Sequence, residues 1–226
     1  MFLLSSHELI FSSIFYETAL SPHTLRIKAT INKASNMKVA LITASSAGLG
    51  AAIARAMVSD MKIVLNYSSN ESRVKVLIEE LLSIASQSNN SNEDQGLPRV
   101  VAFRADIGKR LDIENLVSSA IRTYGRLDVV VSNGGWTQIR NFNDLDDNLD
   151  EEDWDKCFNI NVKSHLWLVK AVMPHLEATE GAFVTVASVA GVKPSGSSVV
   201  RSLISTYRKS VPKTLLMLLF AHSHTL

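Results

Sequence analysis

Gly48 and Gly50 follow an apolar run, Val39-Ala-Leu-Ile-Thr43, and precede a stretch of small residues from Ala51 to Met57. A buried strand, a glycine turn and a helix opening at Leu49 present free backbone N–H groups at a helix N-terminus. The pyrophosphate of a dinucleotide is the ligand that this geometry suits. Further polar groups stand where later apolar runs end: Asn66-Tyr-Ser68-Ser69, Asp106-Ile107, Asn133-Gly134-Gly135 and Ser188. Their convergence argues for a binding site more strongly than any one of them.

Those groups need a scaffold that gathers their ends on one edge. Val39 to Thr43, Met61 to Tyr67, Val100 to Arg104, Leu127 to Ser132 and Ala182 to Ala187 read as five strands. Residues 50–58, Glu71 to Ile84, Leu111 to Tyr124 and Asp153 to Leu176 read as helices. Apolar positions recur at helical spacing at Val74, Val76, Leu77, Leu81 and Leu82, and again at Phe158, Val162, Leu166, Leu168 and Val172. Gln87 to Gln95 is a polar loop. With no hairpin signal between strands, right-handed crossovers follow, and with them a doubly wound parallel sheet in a three-layer α/β/α Rossmann fold. Strands covered on both faces read as continuous apolar runs, as these do. Ligands of such folds bind beyond the carboxyl ends of the strands.

A chain of 226 residues supports one good core and is too short for two ordinary domains. Its net charge of +1 gives no electrostatic case for nucleic acid or an anionic membrane. The single cysteine, Cys157, excludes an intrachain disulfide and a cysteine metal cluster, and fits a reducing compartment. Residues 1–36 read as an N-terminal extension outside the fold: Met1 to Ile14 is too short and mixed to span a bilayer, and Glu8 and Glu17 argue against a transit peptide. The expected divisions are 1–36, a dinucleotide-binding domain at 37–200, and a divergent tail at 201–226. A cytoplasmic location is expected, or a mitochondrial one if residues 1–36 are genuine.

Thr43-Ala-Ser45-Ser46-Ala-Gly48-Leu49-Gly50 resembles the Thr-Gly-x-x-x-Gly-x-Gly turn of the short-chain dehydrogenase/reductase family. Asp106-Ile107 resembles that family's adenine contact, and Asn133-Gly134-Gly135 its Asn-Ala-Gly. Asn159-Ile-Asn161-Val resembles the helix with its catalytic asparagine, and Val186-Ala-Ser188 the strand end with its catalytic serine. The resemblance covers about residues 37–200 and is nearest the 3-oxoacyl-carrier-protein reductase-like group. It implies hydride transfer between a nicotinamide and a small-molecule carbonyl or secondary alcohol, with Ser188 orienting the carbonyl and Asn161 holding a relay water, and it implies a homo-oligomer. The cofactor preference follows from the residues themselves. An NAD site places an acid about 20 residues beyond the turn, whereas Asn66-Tyr-Ser68-Ser69-Asn70 carries none before Glu71. NADP(H) is therefore favoured over NAD(H).

Three departures qualify that expectation. Ala44 puts a methyl group where the family has glycine, at a strain on the order of 1 kcal/mol if the backbone there is left-handed. The family's proton-donating tyrosine falls on Arg201, and the lysine four residues on falls on Ser205. A guanidinium, with a pKa above about 12, is a poor proton donor to an alkoxide. Tyr207 and Lys209, two residues apart, do not share a helix face and so do not replace that pair. Past Val200 the family's last helix and strands are not recognisable, so a C-terminally shortened member is expected, weak or inactive in turnover. The alternative is a catalytically dead dinucleotide-binding module or the partner of an intact paralogue. Asp144-x-Asp146-x-Asn148 partly mimics a calcium loop, but Leu149 occupies its glycine place, and the helix dipole explains the acids more simply. No metal is expected, and His165 and His175 read as residues on the surface of the long helix.

Overall fold

The computed structural model describes residues 35–87, 96–188 and 198–200. In chain order its elements are β1 (Val39–Ile42), α1 (Gly48–Met57), β2 (Lys62–Tyr67), α2 (Glu71–Ser86), β3 (Val100–Arg104) and α3 (Arg110–Tyr124). There follow β4 (Val129–Ser132), a 3-10 turn (Asp146–Asn148), α4 (Glu151–Phe158), a π-helical turn (Asn159–Lys163), α5 (Ser164–Thr179) and β5 (Ala182–Thr185). The strands form one sheet in the order β3-β2-β1-β4-β5. Every pairing is parallel, with Val39 beside Lys62, Ala40 beside Val129, Ile63 beside Val100 and Val129 beside Ala182. This is the doubly wound sheet that the alternation of elements predicts, with its switch point between β1 and β4.

Alternate residues of the central strands feed two cores. Val39, Leu41 and Val64 pack with Ile113, Leu116 and Ala120 of α3 and Leu168, Val172 and Leu176 of α5. Ala40, Ile42, Ile63 and Leu65 face the other way, onto Ala51 and Ala54 of α1 and Val74, Leu77 and Leu81 of α2. Burial on both faces is why β1 reads as unbroken apolar sequence: all four of its residues are buried.

Several sequence readings need correction. Val76 is 65% exposed, and Leu82, Phe158 and Leu166 are also exposed, because two core-facing rows per helix leave other apolar positions outside. The long helix expected from Asp153 to Leu176 runs without interruption from Glu151 to Thr179, but it carries a π turn that rotates the positions after it relative to those before it. Ser35, ahead of the expected boundary at Met37, is buried and donates its N–H to the Tyr124 carbonyl at 2.8 Å. Residues 1–34, the loop at 88–95 and the positions of Arg201, Ser205, Tyr207 and Lys209 lie outside the described residues.

Candidate functional site

The carboxyl ends of β1, β2, β3 and β4 are stitched together by side chains. Thr43, buried just past β1, accepts the N–H groups of Asn133 and Gly134 on its Oγ1 at 3.0 and 3.2 Å. Asn133 returns Nδ2 to the Thr43 and Ala44 carbonyls at 3.1 and 3.2 Å. Asn66, at the end of β2, accepts the Ala44 N–H on Oδ1 at 2.9 Å and donates Nδ2 to the Ala105 carbonyl at 3.0 Å. Ser45 accepts the Asn66 N–H on Oγ at 2.9 Å.

Asn66 and Ser45, singled out from the sequence as ligand contacts, are 1% and 0% exposed, and both amide groups of Asn66 are engaged. Their observed role is to shape the turn. Ser46 is half-buried, while Gly48, Leu49, Ser68 and Ser69 are exposed and stand around the same edge.

The turn and the start of α1 form a cradle of backbone amides. Ala47, which caps α1, makes no side-chain hydrogen bond to the first turn, and the Ala51 amide reaches back to the Ala47 carbonyl at 3.2 Å. The amides of Gly48, Leu49 and Gly50 are thus among those that a helix start leaves without an intrahelical partner. Gly48 has φ +54° and open space where a Cβ would stand. A Cβ on Gly50 would lie 2.7 Å from both the Ala44 carbonyl oxygen and Asn133 Nδ2, so only glycine lets α1 start this close to the turn. The residues present fit a dinucleotide pyrophosphate.

Ile107 closes one side, its Cδ1 filling the place that a Cβ on Gly134 would take. Asp106 accepts the Gly108 N–H on Oδ1 at 2.9 Å, while Lys109 stands 3.9 Å from Oδ2. Asn159 donates Nδ2 to the Gly108 carbonyl at 2.8 Å, which ties the π turn to the β3 end. Asn161 lies inside that turn; its Oδ1 accepts the Trp136 N–H at 2.8 Å and its Nδ2 donates to the Trp136 carbonyl at 2.7 Å. Gly135, just before Trp136, is exposed. Ser188 is half-buried three residues beyond β5. All of the named site residues therefore lie on one edge of the sheet or against it.

His165 is not a surface residue as its helical position suggested. It is buried, with Nδ1 2.5 Å from Ser132 Oγ, and so joins the last residue of β4 to the first turn of α5. The acids before α4 also have defined partners. Asp150 caps α4, accepting the N–H groups of Glu152 and Asp153, and Arg140 bridges Asp147, Asp150 and Asp153. Among the described residues no cluster of His, Cys, Asp or Glu is arranged to hold a metal ion. No helix among them is long and apolar enough to cross a membrane.

The family model described as short chain dehydrogenase matches residues 38–201. Dehydrogenase/reductase SDR family member 4 of Pongo abelii is 34% identical over 179 residues, a match covering 79% of this chain and 59% of that protein. Granaticin polyketide synthase putative ketoacyl reductase 2 of Streptomyces violaceoruber is 32% identical over 163 residues, covering 71% of this chain and 59% of its own. This chain thus spans about three-fifths of the length of these curated relatives. Among solved structures, an alcohol dehydrogenase from the archaeon Thermococcus sibiricus complexed with 5-hydroxy-NADP aligns with a TM-score of 0.65 at 24% identity. That alignment covers 80% of this chain and 70% of the other.

Proposed function

The chain belongs to the short chain dehydrogenase family, and from that premise we propose that it binds NADP(H) in preference to NAD(H) and has weak or no turnover of its own. The cradle at Gly48 and Gly50 carries the binding half of this reading. It combines open helix-start amides with a glycine whose Cβ would strike the Ala44 carbonyl. The preference for NADP(H) rests on Ser68-Ser69-Asn70, where hydroxyl and amide groups replace the acid of an NAD site.

A bound nicotinamide supplies hydride exchange with the carbonyl carbon of a small ketone or the corresponding secondary alcohol. Ser188 would orient that oxygen. The side chain of Asn161 fixes the π turn against Trp136 and so sets the backbone from which a relay water would be held. The missing role is proton donation. Arg201 stands at the family's tyrosine position and Ser205 at its lysine position, and neither supplies a group that gives up a proton near neutral pH.

The same observations favour a second reading, a dinucleotide-binding module or partner of an intact paralogue, because the cradle is preserved while the proton donor is replaced. Fluorescence titration with NADPH, followed by carbonyl-dependent NADPH consumption, tests both halves. Binding without consumption is the expected result. Consumption by the unaltered chain would overturn the reading of inactivity, and failure to bind either nucleotide would overturn the cofactor assignment. Gain of turnover in the double variant Arg201→Tyr, Ser205→Lys would tie the loss to those two positions.

A further inference from the structure

The position about 20 residues beyond a dinucleotide turn decides which ribose is accepted, and here it is filled by Ser68, Ser69 and Asn70. The neighbouring strand brings a cation to that loop. Arg104, the last residue of β3, pairs in register with Tyr67, the last residue of β2. Its Nε donates to the Ser68 carbonyl at 3.0 Å, although 36 residues separate the two in sequence. We propose that Arg104 recognises the 2′-phosphate of the dinucleotide, an assignment that rests on the cofactor reading above and deepens it.

The geometry supports this role in three ways. Arg104 is exposed, and with Nε anchored its two Nη groups make no hydrogen bond or ion pair among the described residues. A guanidinium held by one edge presents the others as a planar fork, which matches a phosphate better than a point charge does. A guanidinium also only donates, so it gains a full ionic partner from a phosphomonoester and little from a bare 2′-hydroxyl. The nearby carboxylate does not use up this charge. Glu71 is paired with Lys75 Nζ at 2.7 Å, and its carboxyl is held low chiefly by that lysine, with Arg104 a lesser contributor. Asn70 is also occupied, capping α2 by accepting the Arg73 N–H at 2.9 Å. That leaves Arg104, held on the Ser68 carbonyl, as the anchored cation at this position.

Fluorescence titrations of NADPH and NADH against the full chain, Arg104→Gln and Arg104→Lys test the assignment. Loss of one charge-assisted contact weakens binding by roughly ten- to a hundredfold. Arg104→Gln is therefore expected to weaken NADPH by that factor and NADH by less than about twofold, with Arg104→Lys recovering part of the loss. Equal weakening of both nucleotides, or an unchanged NADPH affinity, would overturn the role of Arg104 and leave dinucleotide binding standing. Failure of the unaltered chain to bind either nucleotide would overturn the underlying cofactor reading and this assignment with it. A thermal melt of each variant separates loss of binding from loss of fold. If Arg104→Gln does not fold, the ratio of NADPH to NADH affinity in Arg104→Lys decides, and a ratio equal to that of the unaltered chain overturns the role.

Discussion

The Asn66 amide oxygen accepts the Ala44 N–H at 2.9 Å and holds Ala44, a residue with a Cβ, at φ +49°. The left-handed conformation costs an alanine about 1–2 kcal/mol that a glycine does not incur. It persists because Asn66 is buried and fixed in turn by Ala105, so the turn has no relaxed alternative that keeps those bonds. The methyl group at Ala44 therefore stores strain where the phosphate cradle begins.

Ala44→Gly should release that strain. Glycine's extra freedom in the unfolded chain offsets part of the gain, leaving a net stabilisation of about 0.5–1 kcal/mol. Urea unfolding checks it: a higher midpoint at constant slope is expected, and a lower midpoint would show that the alanine is not strained.

Gly48→Ala and Gly50→Ala separate backbone strain from steric collision. At Gly48 the new methyl meets open space at φ +54°, so the cost is that of the dihedral, about 1 kcal/mol. At Gly50 it meets a backbone oxygen and an amide nitrogen at 2.7 Å, which costs more than about 2 kcal/mol and displaces α1 from the turn. Paired denaturation curves should rank Gly50→Ala as the more damaging, with the greater loss of nucleotide binding. The reverse order would contradict the described geometry.

Asn161→Ala removes the partner of the Trp136 N–H and the shorter of two donors to its carbonyl, which keeps the Cys157 thiol at 3.7 Å; Trp136 is half-buried. Loss of about 1–3 kcal/mol is expected, together with a change in tryptophan emission, since Trp136 packs with Trp154 and Cys157. Asn161→Asp retains the acceptor for the N–H but faces the Trp136 carbonyl with a carboxylate, and should also destabilise. Unchanged stability in both variants would show that the clasp does not hold the π turn.

Burial raises the Tyr124 phenol well above its ordinary value, while its hydroxyl donates to the Pro98 carbonyl at 3.0 Å. The folded value exceeds the unfolded one, near 10. The stabilisation is therefore complete below about pH 10 and is lost as pH rises toward the folded value. Thermal unfolding temperatures followed from about pH 9 to 11 should fall more steeply in the native chain than in Tyr124→Phe. Parallel slopes would remove Tyr124 from the alkaline limb.

The order and type of the elements are legible in the chain because hydrophobic periodicity and glycine placement are local properties. Apolar runs at β1 and β2 mark strands buried on both faces, the run at β3 proves to be a half-buried edge strand, and Gly48 and Gly50 mark the turn. The same reasoning placed the polar groups at the carboxyl ends of the strands. Which of those groups are engaged in holding the scaffold depends on contacts between distant segments. Asn66 reads in sequence as a ribose contact, yet the β1–β2–β3 neighbourhood engages it with Ala44 and Ala105. Arg104 reads as an ordinary strand terminus, yet the β2–β3 register delivers it to Ser68. His165 reads as exposed, yet it is buried beside Ser132. Each of these outcomes depends on a partner between 21 and 39 residues away in sequence, counted from the Ser45–Asn66, Ser132–His165, Ser68–Arg104 and Asn66–Ala105 pairs. Such partners are selected by strand order and register, and no local pattern encodes them.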